Sequence, residues 1–233
     1  MKDLKRIVDS MNPSEILGIF SQDAVFINHK IEELTKAYKK RLYPITSDIK
    51  ILGSCEFKRK DGLNIVLIFF DKGNSLPTKE RLGLFEYMWF HYRGGISAIK
   101  LMPDKKFGFL KIFYTAHFLK RYRERKLKEN TISLIDALKS HVINNTSKTL
   151  KYLPSEKYPN DGWMPTRDGL AFIEVKPDSF IIMKTFIAWD QLSNVKKEIS
   201  HDLIVQAINS GAKFEMPEEL IDDSDINALD ALN

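Results

Sequence analysis

Five short apolar runs, separated by turn-forming residues, occupy the stretch from residue 49 to residue 113. Predicted strands cover residues 49–58, 63–71, 83–92, 96–102 and 107–113. Between them lie groups rich in glycine, proline and Asx residues, which are Lys60-Asp61-Gly62, Lys72-Gly73-Asn74, Arg93-Gly94-Gly95 and Pro103-Asp104-Lys105-Lys106. Short turns of this composition join neighbouring antiparallel strands. The sequence therefore predicts an antiparallel meander at the centre of the chain.

Helical patterns flank the meander on both sides. Before it, apolar residues recur at helical spacing until Pro44, and these are Ile31, Leu34, Tyr38 and Leu42. After it, Thr115 is placed to cap a helix that carries His117, and a second helix runs from Thr131 or Ser133 to about Asn144. Each pattern predicts an amphipathic helix that packs one face on the sheet.

A β-hairpin and a last helix complete the chain. A long polar connection through Pro154, Pro159 and Asp161-Gly162 leads to predicted strands at residues 170–176 and 180–187. The last helix covers about residues 190–210 and ends at Gly211.

Together these elements predict an α+β fold with a helical N-terminal layer, an antiparallel β-sheet and a C-terminal helix-helix-β-hairpin-helix unit. We divide the chain into a helical layer and meander at residues 1–106, an α+β unit at 107–214 and an acidic tail at 215–233. The first two parts are either separate domains or one continuous domain. The tail is predicted to be disordered, with the alternative that it folds over a basic surface.

The charge distribution favours a polyanionic partner. The chain has a net charge of +5, but residues 215–233 contain seven acidic residues and no Lys or Arg. Without that tail, 36 basic residues stand against 24 acidic ones, a net of +12. A body of that sign attracts nucleic acid through its long-range field and through counterion release. RNA or another polyanion is therefore the first partner class to consider.

Several other classes are disfavoured by composition. No run approaches the ~18 apolar residues that span a bilayer, so no membrane partner is expected. The first residues mix charged and apolar side chains instead of forming the apolar core of a signal peptide, so a cytoplasmic location is expected. Cys55 is the single cysteine, and with five scattered histidines it forms no ligand cluster of the zinc type. We expect no metal and no cofactor. The sequence does not specify an oligomeric state.

The helix after the meander carries the candidate site. At about 100° per residue, His117, Arg121 and Arg125 fall within an arc of about 80°, beside an apolar arc that contains Phe118 and Tyr122. The basic groups are therefore predicted to lie at the edge of the buried face. An imidazole beside guanidinium groups suits phosphodiester chemistry, but a phosphate-binding surface or a solvated helix face would show the same pattern.

Further along the chain, Thr166-Arg167-Asp168-Gly169 precedes the hairpin, and the last strand contains Met183-Lys184-Thr185-Phe186. A helix with His-x-x-x-Arg-x-x-x-Arg, a second helix, an arginine before a hairpin and a final Lys-Thr pair together resemble the small toxin-type ribonucleases. That group includes the barnase, EndoU, colicin and RelE families with BrnT-like members. The resemblance covers about residues 107–190.

The resemblance implies metal-independent cleavage of RNA by attack of the ribose 2′-hydroxyl on the adjacent phosphate. His117 would serve as general acid or base, since an imidazole titrates near pH ~6.5. Arg121, Arg125 and Arg167 would hold the phosphate, and Lys184 or Thr185 would supply another donor. The resemblance to toxins is also compatible with an inhibitory protein partner.

Two alternatives remain at this point. The protein could be a degenerate, non-catalytic relative that uses the same basic surface to bind nucleic acid or protein, or a structural protein without a ligand there. Arg167 could instead be a turn residue paired with Asp168 or Asp161, and Lys184-Thr185 could be an outward-facing strand pair. The enzyme hypothesis requires that His117, two arginines and the last strand surround one spot.

Overall fold

The structure is a computed structural model of the chain. It describes residues 7–21, 24–40, 42, 50–59, 62–72, 81–104, 108–145, 153–154, 160–177 and 180–209. The predicted acidic tail at residues 215–233 lies outside the described residues, as do Pro44 and Gly211, which were expected to mark helix ends. The chain divides into two compact units, residues 1–113 and 114–233, rather than at the predicted boundary after residue 106. Both units combine helices with antiparallel strands, so the fold is α+β as predicted.

Unit 1 contains two helices followed by the meander. Its elements are α1 (Pro13–Ser21), α2 (Ala24–Lys39), β1 (Lys50–Lys58), β2 (Asn64–Asp71), β3 (Leu82–Tyr92), β4 (Gly95–Asp104) and β5 (Gly108–Tyr114). The strands lie in the order β1-β2-β3-β4-β5, and the first three pairs are antiparallel. The predicted meander is confirmed, with bounds within two residues of those expected from the apolar runs and the turn residues between them.

The turn between β3 and β4 shows how local chemistry sets the pairing. Arg93 has φ 48° and Gly94 has φ 73°, and the strands close around them with Tyr92 opposite Gly95. Two successive residues in the left-handed region form the tight turn whose twist matches that of antiparallel strands. Arg93 adopts this conformation, and its backbone N–H donates to the Asp9 carboxylate at 2.5 Å.

The core of unit 1 surrounds β2, which is buried along its whole length. On one face of the sheet, the ring of Tyr38 from α2 stacks on Phe69 with ring centroids 4.5 Å apart. The Tyr92 hydroxyl donates to the carbonyl of Met11 at 2.7 Å and ties the start of α1 to the same region. The amphipathic helix predicted from Ile31, Leu34, Tyr38 and Leu42 packs through Tyr38, but α2 ends at Lys39, so Leu42 lies outside it.

Unit 2 places two short helices before its strands and a longer helix after them. Its elements are α3 (Ala116–Tyr122), a π-helical turn (Arg123–Leu127), α4 (Leu134–Asn144), β6 (Leu153–Pro154), β7 (Asp161–Thr166), β8 (Gly169–Lys176), β9 (Phe180–Ala188), a 3-10 turn (Trp189–Gln191) and α5 (Asn194–Asn209). Within unit 2 the strand order is β9-β8-β7-β6, and the pairs from β6 to β9 are antiparallel.

The prediction of a polar connection through Pro154 and Asp161-Gly162 was wrong, because β6 and β7 form there. Pro165 lies inside β7, and a proline usually argues against a strand because it lacks an N–H. Here β6 pairs only with Gly162 and Trp163, so no described strand lies beside Pro165 on that edge. The missing donor costs no hydrogen bond in the described ladder.

Helices cover both faces of the unit 2 sheet. On one face, Phe186 of β9 meets Phe118 and Tyr122 of α3 with ring centroids 5.8 and 5.0 Å away. On the other face, a second core contains Leu170 and Trp189 together with Ile204 of α5. The two cores lie on opposite faces because Leu170 pairs with Ile187, the neighbour of Phe186, and consecutive strand residues point to opposite sides.

No helix within the described ranges is both long enough and apolar enough to span a membrane.

Candidate functional site

Helix α3 begins at a fixed point on β9. Thr115 is the N-cap with extended backbone angles, and its Oγ1 accepts a hydrogen bond from the Phe118 N–H at 3.1 Å. The same hydroxyl lies 2.9 Å from the Met183 carbonyl, and the Thr115 N–H donates to that carbonyl at 3.3 Å. The cap predicted at Thr115 is confirmed, and it also anchors the helix to the last strand.

Helix α3 buries one side against the protein and leaves the other side exposed to solvent. Phe118, Leu119 and Tyr122 are 0% exposed, so the helix rests on these three side chains. The residues left on the outer side include three basic groups at positions i, i+3 and i+4, which are neighbours on a helix surface. We call these the basic face, and its members are His117, Lys120 and Arg121.

His117 lies in the open part of the basic face. Its side chain is exposed, and within the described part of the chain it forms no hydrogen bond or ion pair. Arg121 is 40% exposed, and its Nη1 donates to Glu124 Oε2 at 3.1 Å. Lys120 is 60% exposed and lies 3.9 Å from the same carboxylate. The imidazole is accessible to a ligand, and Arg121 is accessible but shares its charge with Glu124.

Arg125 does not continue this face as predicted from α-helical spacing. Residues Arg123–Leu127 form a π-helical turn, which inserts an extra residue and rotates the side chains that follow. Arg125 Nη1 donates to the carbonyl of Phe186 at 2.6 Å. At least one N–H of its guanidinium is therefore hydrogen-bonded to β9, although the side chain stays partly exposed.

Lys184 and Thr185 lie on the face of the sheet away from α3. Thr185 pairs with Phe172, whereas Ala171 pairs with Phe186, which contacts α3. The pairing slips between Thr185 and Met183, so Lys184 is an extra residue that opposes none on β8. Such a bulge can direct two successive side chains to one face.

The contacts of Lys184 confirm that direction. Its Nζ lies 2.8 Å from Asp161 Oδ1, 3.1 Å from Glu174 Oε2 and 5.5 Å above the Phe172 ring. Partial burial lowers the pKa of Lys184, but the hydrogen bonds to Asp161 and Glu174 outweigh burial and leave the pKa above its usual value. The ammonium is held by carboxylates, and the structure does not bring it to His117.

Arg167 occupies the two-residue turn between β7 and β8, which Thr166 and Gly169 close. Its side chain is exposed, and in the described ranges no carboxylate lies within ion-pair distance. The pairing with Asp168 or Asp161 that we considered from the sequence does not occur, because Asp168 contacts Lys126 and Asp161 contacts Lys184. The Arg167 carbonyl accepts a hydrogen bond from Trp189 Nε1 at 2.9 Å.

A buried polar network lies beside this turn, and sequence analysis did not identify it. Asp168 is 5% exposed, and its Oδ2 accepts from the Tyr122 hydroxyl at 2.5 Å and from Asn145 Nδ2 at 3.0 Å. Lys126 Nζ lies 3.5 Å from Oδ1. Asn145 Nδ2 also lies 3.0 Å from Nδ1 of His141, which is 1% exposed.

The network joins four elements of unit 2. Tyr122 ends α3, Lys126 belongs to the π-helical turn, Asn145 caps α4, and Asp168 lies between β7 and β8. Burial raises the pKa of Tyr122, and its hydrogen bond to Asp168 raises it further, so the phenol remains a donor. A sequence signal existed only for Asn145, which follows the predicted end of the second helix.

Taken together, the structure brings part of the predicted site into one region. Helix α3 with His117 and Arg121 lies along β9, and the turn that carries Arg167 is tied to the C-terminal end of α3 by Asp168. Lys184 and Thr185 belong to the opposite face. Among the described residues, no group of three or more His, Cys, Asp or Glu is arranged to hold a metal ion.

Comparison with known proteins yields no relative. No family model matches the chain, and neither a curated protein nor a solved structure matches it.

Proposed function

We propose that unit 2 binds RNA on the basic face and cleaves it as a metal-independent ribonuclease of the toxin type. The observation that carries the proposal is the contrast between the histidine of α3 and the histidine of α4. His141 is 1% exposed and belongs to the buried network, whereas His117 is exposed and has no partner in the described part of the chain. An accessible imidazole beside a guanidinium supports acid-base chemistry on a phosphodiester.

In the proposed reaction the ribose 2′-oxygen bonds to the adjacent phosphorus and the bond from phosphorus to the 5′-oxygen breaks. The products are a 2′,3′-cyclic phosphate and a 5′-hydroxyl. His117 accepts the proton of the 2′-hydroxyl or protonates the leaving oxygen, and water serves the other transfer. Arg121 donates to the phosphate oxygens, where negative charge increases in the transition state.

Arg125 and Arg167 have supporting roles in this proposal. Arg125 retains donors beyond the one that binds the Phe186 carbonyl, and Arg167 is an exposed cation near the end of α3. We assign Lys184 and Thr185 no contact with the phosphate, since they face away from α3. Action on RNA in the cytoplasm is part of the proposal, as is an inhibitory protein partner.

A second function, RNA binding without cleavage, is favoured by a specific observation. Three of the cations expected around the phosphate already have partners, because Arg121 contacts Glu124, Arg125 contacts a carbonyl and Lys184 contacts two carboxylates. Catalysis needs donors that are free to bind the transition state, whereas binding requires only a net positive surface.

Incubation of the purified full chain with mixed-sequence RNA in a chelating buffer separates these functions. We expect fragments that end in a 2′,3′-cyclic phosphate, and loss of His117 should slow their formation about 10²- to 10⁴-fold. His29→Ala is the matched control for His117→Ala, since His29 is also exposed on a helix, in unit 1. It should cleave at the wild-type rate.

The remaining outcomes identify the function that fails. Equal cleavage by wild type and His117→Ala would remove His117 from the mechanism. Binding without cleavage by the wild type would leave the second function. Fragments from an all-deoxy oligonucleotide would contradict attack by a 2′-hydroxyl.

A further inference from the structure

Arg167 and Asp168 are adjacent residues with opposite environments. The Arg167 side chain is exposed, whereas Asp168 is 5% exposed and lies in the buried network. The two residues share the backbone of a two-residue turn. The contacts of Asp168 therefore fix the backbone from which the Arg167 side chain extends.

Those contacts tie the turn to the helix that carries the basic face. Asp168 accepts from the Tyr122 hydroxyl at 2.5 Å, and Tyr122 is the last residue of α3, one turn after Phe118 and Leu119. The Asp168 N–H donates to Asn145 Oδ1 at 3.3 Å, while Asn145 Nδ2 donates to the carboxylate at 3.0 Å. This reciprocal pair fixes both the backbone and the side chain of Asp168.

Lys126 links the same carboxylate to the solvent-facing side. Its Nζ lies 3.5 Å from Asp168 Oδ1, and its side chain is 37% exposed. Lys126 is thus held beside Asp168 by an ion pair, and Arg167 precedes Asp168 in the chain. Lys126 lies in the turn that follows α3, and the turn that carries Arg167 is bonded to the last residue of α3 through Asp168.

We propose that Asp168 is a positioning residue that holds the turn of Arg167, so that Arg167 forms an additional phosphate contact for RNA. This inference rests on the proposed binding of RNA by unit 2 and adds a second phosphate contact to it. Asp168 itself touches no ligand, because its carboxylate is buried and occupied by protein donors.

A double-mutant cycle tests whether Asp168 acts through Arg167. The variants are Arg167→Ala, Asp168→Asn and the double variant, and the probe is a fluorescent mixed-sequence RNA with 2′-O-methyl groups, which cannot undergo 2′-hydroxyl attack. Asparagine keeps the size of the side chain but presents an N–H₂ group toward donors of the network, so the turn should shift. Lys39→Ala, which removes an exposed lysine on α2, is the charge-matched control.

We expect Arg167→Ala to weaken RNA binding about tenfold and to lower the salt slope by about one phosphate contact. Asp168→Asn should weaken binding by a similar factor and lower the slope likewise. In the double variant the loss should equal that of Arg167→Ala alone, because a residue that acts through another has no effect once the other is gone. The control should change the slope by less than either variant.

Tyr122→Phe provides a second route to the same result if Asp168→Asn fails to fold. It removes one donor to Asp168 and keeps the ring that packs on Phe186. Losses that multiply in the double variant, or an unchanged salt slope in Asp168→Asn and Tyr122→Phe, would overturn the positioning role while RNA binding stands. A wild-type protein that binds no RNA would overturn the proposed function and this inference with it.

Discussion

Lys100 in unit 1 and Asp168 in unit 2 are both ionisable side chains removed from water, but they are accommodated differently. Lys100 is 3% exposed on β4, with Nζ 4.9 Å above the ring of Phe85, and no carboxylate in the described part of unit 1 forms an ion pair with it. Burial lowers the pKa of Lys100 to about 8. Asp168 is 5% exposed and has hydrogen-bond donors on both sides of its carboxylate.

The two buried ionisable groups therefore have different effects on the units that contain them. A buried lysine without a carboxylate partner has a lowered pKa and reduces the stability of the folded protein. It forms few links between one element and another. A carboxylate with several donors links the elements from which those donors come. The network at Asp168 thereby sets the geometry of the surface around it, whereas Lys100 affects mainly the stability of its own sheet.

The largest effect is expected from Asp168→Ala. This change removes the acceptor of the buried Tyr122 hydroxyl and one acceptor of the half-buried Asn145 amide, which should lower the free energy of unfolding by about 2–4 kcal/mol. Urea unfolding measures the loss. Asp190→Ala is the control, since Asp190 is an exposed partner of Lys128 and its removal should change the same quantity by less than ~1 kcal/mol. Equal losses in both variants would show that burial of Asp168 adds nothing.

An intermediate effect of opposite sign is expected from Lys100→Met. A methionine has no charge to bury, so the variant should be more stable than the wild type at about pH 7, by about 1–3 kcal/mol. The folded pKa of about 8 lies below the ordinary 10.5, so between these values the unfolded chain binds more protons. Wild-type stability should therefore rise with pH across that window.

Urea unfolding of both proteins at several pH values checks this sign. The advantage of Lys100→Met should be fully present below pH 8 and should shrink toward pH 10.5. Lys39→Met, at an exposed position, should follow the wild type at every pH. A constant difference between wild type and Lys100→Met would mean that Lys100 keeps its proton in the folded protein.

The smallest effect is expected from Glu124→Gln, which removes a partly exposed acid beside the basic face. Its ion pair with Arg121 is partly exposed at both ends, so unfolding should change by less than ~0.5 kcal/mol. Affinity for RNA should increase about two- to threefold, because Arg121 and Lys120 lose a competing carboxylate. Fluorescence anisotropy at two salt concentrations measures it. Weaker RNA binding would place the ligand elsewhere.

Local pattern was sufficient for much of the fold. The strands of unit 1 were predicted within two residues, since short apolar runs and turn chemistry act over a few residues. Ser133 caps α4 through a hydrogen bond to the Asp136 N–H at 3.1 Å, as its position suggested. β7 was missed because its proline and glycine signal a turn, and only pairing with β8 shows that the segment is a strand.

The candidate site divides in the same way. Helical spacing predicted His117 and Arg121 at the edge of the buried face of α3. The structure leaves His117 exposed and Arg121 40% exposed, beside the buried residues Phe118 and Tyr122. The π-helical turn then directs Arg125 to the carbonyl of Phe186, and the bulge in β9 directs Lys184 away from α3. Spacing rules assume regular elements, so neither irregularity could be read from them.

The type of each long element, the cap of α3 and the accessible histidine beside a basic group could all be predicted from the local sequence. These features depend on residues within about one or two turns of chain. Tertiary packing alone places Asp168 in a buried position, bonded to Tyr122, which lies 46 residues earlier. It also places Lys184 on the face of the sheet away from α3. Contacts between distant segments form because the elements pack together, and a periodic pattern carries no information about which distant side chain will be the partner.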